Sequence, residues 1–124
     1  MGNNPLTLTT YAVDFTGTAL EASSVTKASR GYLGKVFGRI DSTAGSATYY
    51  FQILNAASLP ADGTVTFLIS PLKIIHTNGV NSTFDIDFTP QLVPASSGIV
   101  WCVSSTEFTK TITAANASVT VLYK

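Results

Sequence analysis

Few side chains in this sequence have the type and spacing to do chemistry. His76 is the one histidine. It ends the apolar run Leu72 to Ile75 and precedes Asn78-Gly79, which predicts a position near a strand terminus, facing solvent. A serine or cysteine triad would need His76 as its base, yet no nucleophile stands in a frame such as Gly-x-Ser-x-Gly. Cys102 follows Trp101 in an apolar run, where a free cysteine behaves as a small hydrophobe and burial disfavours its thiolate. One cysteine and one histidine cannot make up the usual zinc ligand set, and no metal site is expected.

Asp85 and Asp87 fall on one face of a strand, about 7 Å apart by the rise per residue. That spacing could serve a Ca²⁺ site or paired-carboxylate chemistry. The simpler reading is the solvated face of an antiparallel strand, where carboxylates also discourage edge pairing. Tyr49, Tyr50 and Trp101 are the candidate interface or ligand aromatics, since flat rings give large contact area at low entropic cost. Core packing accounts for at least half of them equally well. No catalytic residue, cofactor or cofactor-binding residue is assigned, and the chain is read as a non-enzyme.

The elements that carry these residues are strands. Apolar and polar residues alternate with period 2 in windows filled by Val, Ile, Thr, Tyr and Phe. The clearest are Thr64 to Ile69, with Val65, Phe67 and Ile69 on one face; Thr83 to Phe88, with Phe84, Ile86 and Phe88 opposed by Asp85 and Asp87; and Ser118 to Tyr123, with Val119, Val121 and Tyr123 opposed by Ser118 and Thr120. Between Gly31 and Asp41 the even positions, Tyr32, Gly34, Val36, Gly38 and Ile40, read as the buried face. Ala47 to Leu54 and Ile99 to Val103 are apolar on both faces, as central strands are. Near the N-terminus the phase slips between Leu6, Leu8 and Tyr11, Val13, Phe15, which predicts a bulge near Thr9 and Thr10.

Turn signals separate the runs: Ser42 to Ser46, Pro60-Ala61-Asp62-Gly63, Ser70-Pro71, Asn78-Gly79 and Pro94 to Gly98. Asn78-Gly79 is a hairpin signal, because both residues tolerate the positive φ of a type I′ turn. Ala19 to Lys27 could form only a short helix, weakened by Ser23, Ser24, Val25 and Thr26. The expectation is an all-β chain: one antiparallel β-sandwich or jelly-roll-like domain of eight or nine strands, with residues 1–27 an N-terminal arm and first strands, and 28–124 the core.

Composition narrows the partners. Seven Lys and Arg balance seven Asp and Glu with no block of either sign, so there is no basic footprint for phosphates or anionic lipid, and neither nucleic acid nor membrane is expected. No apolar run reaches the roughly 18 residues of a membrane span. Met-Gly-Asn-Asn-Pro lacks the basic and apolar regions of a secretory signal, so either the protein matures in the cytoplasm, the favoured reading, or a signal has been removed; without a signal the Asn81-Ser82-Thr83 and Asn116-Ala117-Ser118 acceptor patterns carry no weight. The charged fraction is 11%, against about 25% in an average domain. Strand faces so short of charge suit burial against other subunits.

The order of features carries a resemblance: Leu33-x-x-Val36-x-Gly38, Tyr50-x-Gln52-Ile53-Leu54-Asn55, Pro60-Ala61-Asp62-Gly63, Ser97-Gly98-Ile99-x-Trp101-Cys102-x-Ser104-Ser105-Thr106 with Thr109, and Val119-x-Val121-Leu122-Tyr123. Over residues 28–124 the chain resembles small bacteriophage virion structural proteins. The resemblance implies a capsid-associated β-sandwich, such as a decoration, head-fibre or minor virion protein, without cofactor or catalysis. Its partners would be copies of itself, a trimer among the expected oligomers, and other virion proteins. It would be assembled in the host cytoplasm and located in the virion. The competing reading is a carbohydrate- or receptor-binding β-sandwich module of a tail or fibre.

Overall fold

A computed structural model of the chain describes residues 11–15, 20–113 and 116–124. Nine strands run through them: β1 (Ala12–Phe15), β2 (Ser23–Lys27), β3 (Gly31–Ile40), β4 (Ala47–Leu54), β5 (Leu72–His76), β6 (Ser82–Asp87), β7 (Val93–Ala95), β8 (Ile99–Ser104) and β9 (Ala117–Tyr123). They form two antiparallel sheets. One has the order β1-β9-β3-β6, with β7 also on β3; the other has the order β2-β8-β4-β5. We call them the first and second sheets. The all-β sandwich read from the strand periodicity is the fold observed. The bulge predicted near Thr9 and Thr10 lies outside the described residues.

Period 2 explains the core. Leu33, Val36 and Ile40 of β3, Phe84 of β6 and Val119 and Val121 of β9 face Tyr49, Phe51 and Ile53 of β4 and Ile99, Trp101 and Val103 of β8 in one buried cluster. Phe51 lies at the centre, its ring centroid 4.5 Å from that of Phe84 and 5.9 Å from that of Trp101. β8 is buried at all six positions, because its outer side is covered as well. There Leu54, Val100 and Cys102 pack under Ala56, Val65 and Phe67. Gly38 permits the closest approach of β3 to β9: a Cβ there would overlap the Ser118 carbonyl oxygen, so the sheet centre depends on its absence.

Four expectations change. Thr64 to Ile69 is not a strand; it touches β4 through one bridge, Leu54 to Phe67, and two backbone hydrogen bonds, Asn55 N to Thr66 O and Leu68 N to Ile53 O. Pro71, without an N–H, separates it from β5, so the edge of β4 is covered in two pieces. Asn78-Gly79 is not a hairpin turn: β5 pairs with β4 and β6 with β3, so this turn carries the chain from one sheet to the other. Of these two residues only Gly79 has positive φ. The Asn78 side chain instead donates to the carbonyls of Ser42 and Ala44, fixing the crossover. In β3, Tyr32 is half-buried while Leu33 is fully buried. The register against β9 shifts between Leu33 and Lys35, and that bulge reverses which residues face inward. The Ala19 to Lys27 window contains β2, whose Ser24 pairs with Trp101.

Candidate functional site

The two sheets differ in what lies over their outer faces. The second sheet is roofed by the loops after β4 and β8. Gln52, fully buried, donates its amide to the carbonyls of Thr106, Glu107 and Thr109 at 2.9, 3.1 and 2.9 Å. Its oxygen accepts from the Cys102 thiol at 3.3 Å. Gly63 and Lys110 exchange backbone hydrogen bonds between the two loops, and Lys110 Nζ reaches the Asp62 carboxylate at 2.5 Å.

The outer face of the first sheet has no such roof among the described residues. Pairing registers set its rows: Phe15 opposite Thr120, Thr120 opposite Phe37, and Phe37 opposite Asp85. The adjacent row runs Val13, Leu122, Lys35, Asp87. Val13, Phe15 and Phe37 stand 60%, 65% and 38% exposed. An open groove of about 480 Å³ is lined by Phe15 and Phe37 together with Arg39, Thr83, Asp85 and Thr120. The face therefore joins an apolar half on β1 to a mixed-charge half on β3 and β6, and it is the candidate contact surface. The sequence signal for it was Phe37 itself, which sits with Lys35 and Arg39 on the polar side of β3.

Of the residues singled out for chemistry, Asp85 and Asp87 lie on that face, and the others do not. Trp101 is fully buried and Tyr49 is 6% exposed; Tyr49 donates its hydroxyl to the Gly45 carbonyl at 2.7 Å. Both serve the core between the sheets, and only Tyr50, half-buried on the opposite face of β4, presents surface. His76 is buried at 3% exposure, contrary to the solvent-facing position expected. It ends β5 on the inward side, with Nδ1 2.7 Å from Ser82 Oγ and its ring 5.9 Å from that of Tyr49. The period-2 phase of β5, which turns Leu72, Ile74 and His76 inward together, accounts for this.

Cys102 is the core cysteine its neighbours implied, and burial pushes its thiol up to about 11. Asp85 and Asp87 lie on the exposed face of β6. Asp85 approaches Lys35 at 3.8 Å. Asp87 accepts from the Thr89 hydroxyl and backbone N–H, and these bonds hold its carboxyl below the usual range. Among the described residues no three His, Cys, Asp or Glu side chains converge as metal ligands. No helix among them is long and apolar enough to cross a membrane.

The strand order and the buried inter-sheet core define the chain as an antiparallel β-sandwich with one roofed face and one that no described residue roofs. No family model matches the chain, and no curated protein does. Among solved structures it is similar to the coat protein of Tobacco streak virus, at 10% identity over 94% of this chain and 88% of that one, with a TM-score of 0.39.

Proposed function

We propose that this chain is a non-enzymatic structural subunit of a bacteriophage virion, a capsid-associated decoration or minor protein that assembles with copies of itself and binds the particle surface. The observation that carries the reading is the open face of the first sheet. It leaves Val13, Phe15 and Phe37 in water on a chain whose 6258 Å² of accessible surface holds about one charge per 450 Å². Charge depletion with aromatic enrichment is the composition of an interface core. Balanced charge offers nothing to a phosphate backbone, so the partners are proteins.

Cosedimentation of the purified chain with phage particles, together with light scattering during gel filtration, tests this. Binding to particles and a mass above the 13.1 kDa monomer are expected. A monomer that ignores particles would sink the reading, and turnover of ester or glycoside substrates would overturn its non-enzymatic part.

A second reading has its own observation. Phe15 and Phe37 lie two strands apart, about 10 Å, with Arg39, Asp85 and hydroxyls between and beside them. Such a groove suits stacking on successive rings of a neutral glycan. Specific glycan binding that Phe37→Ala abolishes in a monomeric protein would favour this reading over the first.

A further inference from the structure

The roof over the second sheet carries an aromatic ring that the core does not use. Phe108 is 70% exposed, although the loop that bears it is closely held. The Gln52 amide reaches the carbonyls of Thr106, Glu107 and Thr109, so its anchors bracket Phe108 on both sides. The Thr106 hydroxyl donates to the Thr109 carbonyl at 2.8 Å, and the Ser105 N–H to the Thr111 carbonyl. An apolar ring presented to water by a fixed loop gives up little entropy when it binds. Among the described residues the adjoining Glu107 carboxylate has no hydrogen-bond or ion-pair partner.

The outer face of the first sheet holds a matching recess. Phe15, Thr120 and Phe37 follow one another across β1, β9 and β3. The strand spacing sets Phe15 and Phe37 about 10 Å apart, with only the short Thr120 between them. Side chains stand roughly perpendicular to a sheet, so a third ring seated over Thr120 would lie about 5 Å from each phenylalanine. Aromatic pairs prefer centroid separations of about 4.5–7 Å. The groove that these residues line, about 480 Å³, has room for a phenyl ring. Arg39, also on its lining, bonds Asp41 through Nε alone. Its terminal nitrogens bond nothing else among the described residues and keep their donors for an incoming acceptor.

We propose that Phe108 of one copy of this chain seats between Phe15 and Phe37 of a second copy, with Glu107 reaching Arg39. Charge complementarity favours a second copy as the occupant: the carboxylate beside the ring lacks a partner, and the guanidinium beside the recess has donors to offer it. Phe108 lies over the second sheet and the recess on the outer face of the first, on opposite sides of the sandwich. The contact is therefore head to tail, and it repeats into a ring or a filament instead of closing as a two-fold pair. One ring buries only about 150–250 Å², against about 800 Å² per partner in a stable interface. Each joint is weak in solution and gains strength where copies are already arrayed.

The inference rests on the self-assembly part of the proposed function and locates it. Light scattering over a concentration series of the full chain tests it. The wild type should pass from monomer to species larger than a dimer. Phe108→Asp and Phe15→Asp change exposed side chains, so their melting curves should stay unchanged, and each variant alone should associate about tenfold more weakly or worse. Mixed, the two should form a heterodimer and nothing larger, because each supplies the half that the other lacks. Phe37→Asp should behave as Phe15→Asp does. Glu107→Gln should weaken association and remove most of its salt dependence.

If Phe108→Asp associates as the wild type does, or the mixed variants stay monomeric while the wild type associates, the pairing falls and self-assembly stands. If the wild type is monomeric at every concentration but binds particles, the pairing falls and particle binding stands. If it binds no particle either, both fall. A glycan that binds Phe108→Asp but not Phe15→Asp would overturn the pairing by giving the recess to the glycan.

Discussion

Lys110, 3% exposed, points its ammonium at the half-exposed carboxylate of Asp62, with 2.5 Å between Nζ and Oδ1. The same carboxylate oxygen accepts the Ile112 backbone N–H at 3.2 Å. These contacts join the loop after β4 to the loop after β8, above the outer face of the second sheet. Removing one partner of such a pair strands the other. Asp62→Ala leaves a buried ammonium unpaired, while Lys110→Met leaves a carboxylate that water can reach. Thermal denaturation should therefore show a fall of several degrees for Asp62→Ala and a smaller one for Lys110→Met.

The same geometry sets an acid limit. The Lys110 contact and the Ile112 N–H hold the Asp62 carboxyl below its ordinary value. Thr43, then Arg39, do so for Asp41, and Thr89 for Asp87. Each carboxylate is easier to ionise folded than unfolded, so each adds stability that is full above the unfolded value, about 4, and is lost as pH falls through the folded value. Urea midpoints should be flat near neutrality and decline below about pH 4. Asp62→Asn should shrink that decline, and an unchanged slope would remove Asp62 from the account.

The sequence reached the architecture further than the site. Phe84/Ile86/Phe88, Val119/Val121/Tyr123 and the doubly apolar Ala47 to Leu54 and Ile99 to Val103 express the two-residue period of strands with one or both faces covered, and that period survives in any tertiary context. Thr64 to Ile69 has the same pattern but belongs to a roofing loop, because alternation records two-sided surroundings and not a ladder partner. The exposure expected for His76 failed for a related reason: polarity suggested solvent, while the phase fixed by Leu72 and Ile74 turned the ring inward to Ser82. The role of Gln52 could not be read at all, since its three carbonyl partners lie more than fifty positions along the chain.

Gln52 gives a sharp test of the roof. Its two amide N–H groups are shared among three loop carbonyls and its oxygen receives the Cys102 thiol. Gln52→Leu keeps the bulk and orphans these groups, which should cost about 1–3 kcal/mol in urea denaturation. Gln52→Glu should cost more, because a carboxylate would face carbonyl oxygens that only a donor can satisfy. Equal stability of the two variants would mean that the loop closes without this residue.

Trp101 is assigned to the core, and its indole N–H has no hydrogen-bond partner. Trp101→Ala should cost about 3–5 kcal/mol through lost burial and the cavity left behind. Trp101→Phe should cost less, since the orphaned N–H goes with the indole and contact with Phe51 remains. As the sole tryptophan, it should resist acrylamide quenching in the folded protein. Strong quenching in the native state, or a ligand that changes its emission without unfolding, would return it to the surface role.

Cys102 supplies an alkaline counterpart to the aspartates. Burial raises its thiol from 9.0 to about 11, with Lys110 opposing the shift and Asp62 adding to it. At pH 8 the folded protein should react with a thiol-selective disulfide reagent at least a hundredfold more slowly than the urea-unfolded chain, roughly the factor by which its thiolate is depleted. A group that holds its proton more tightly folded than unfolded contributes stability that is full below the unfolded value. That contribution is lost as pH rises through the folded one, so stability should fall between pH 9.0 and about 11. Cys102→Ala should flatten that fall while lowering stability at pH 7 through the vacated space beside Gln52, and rapid labelling of the native wild type would contradict the buried assignment.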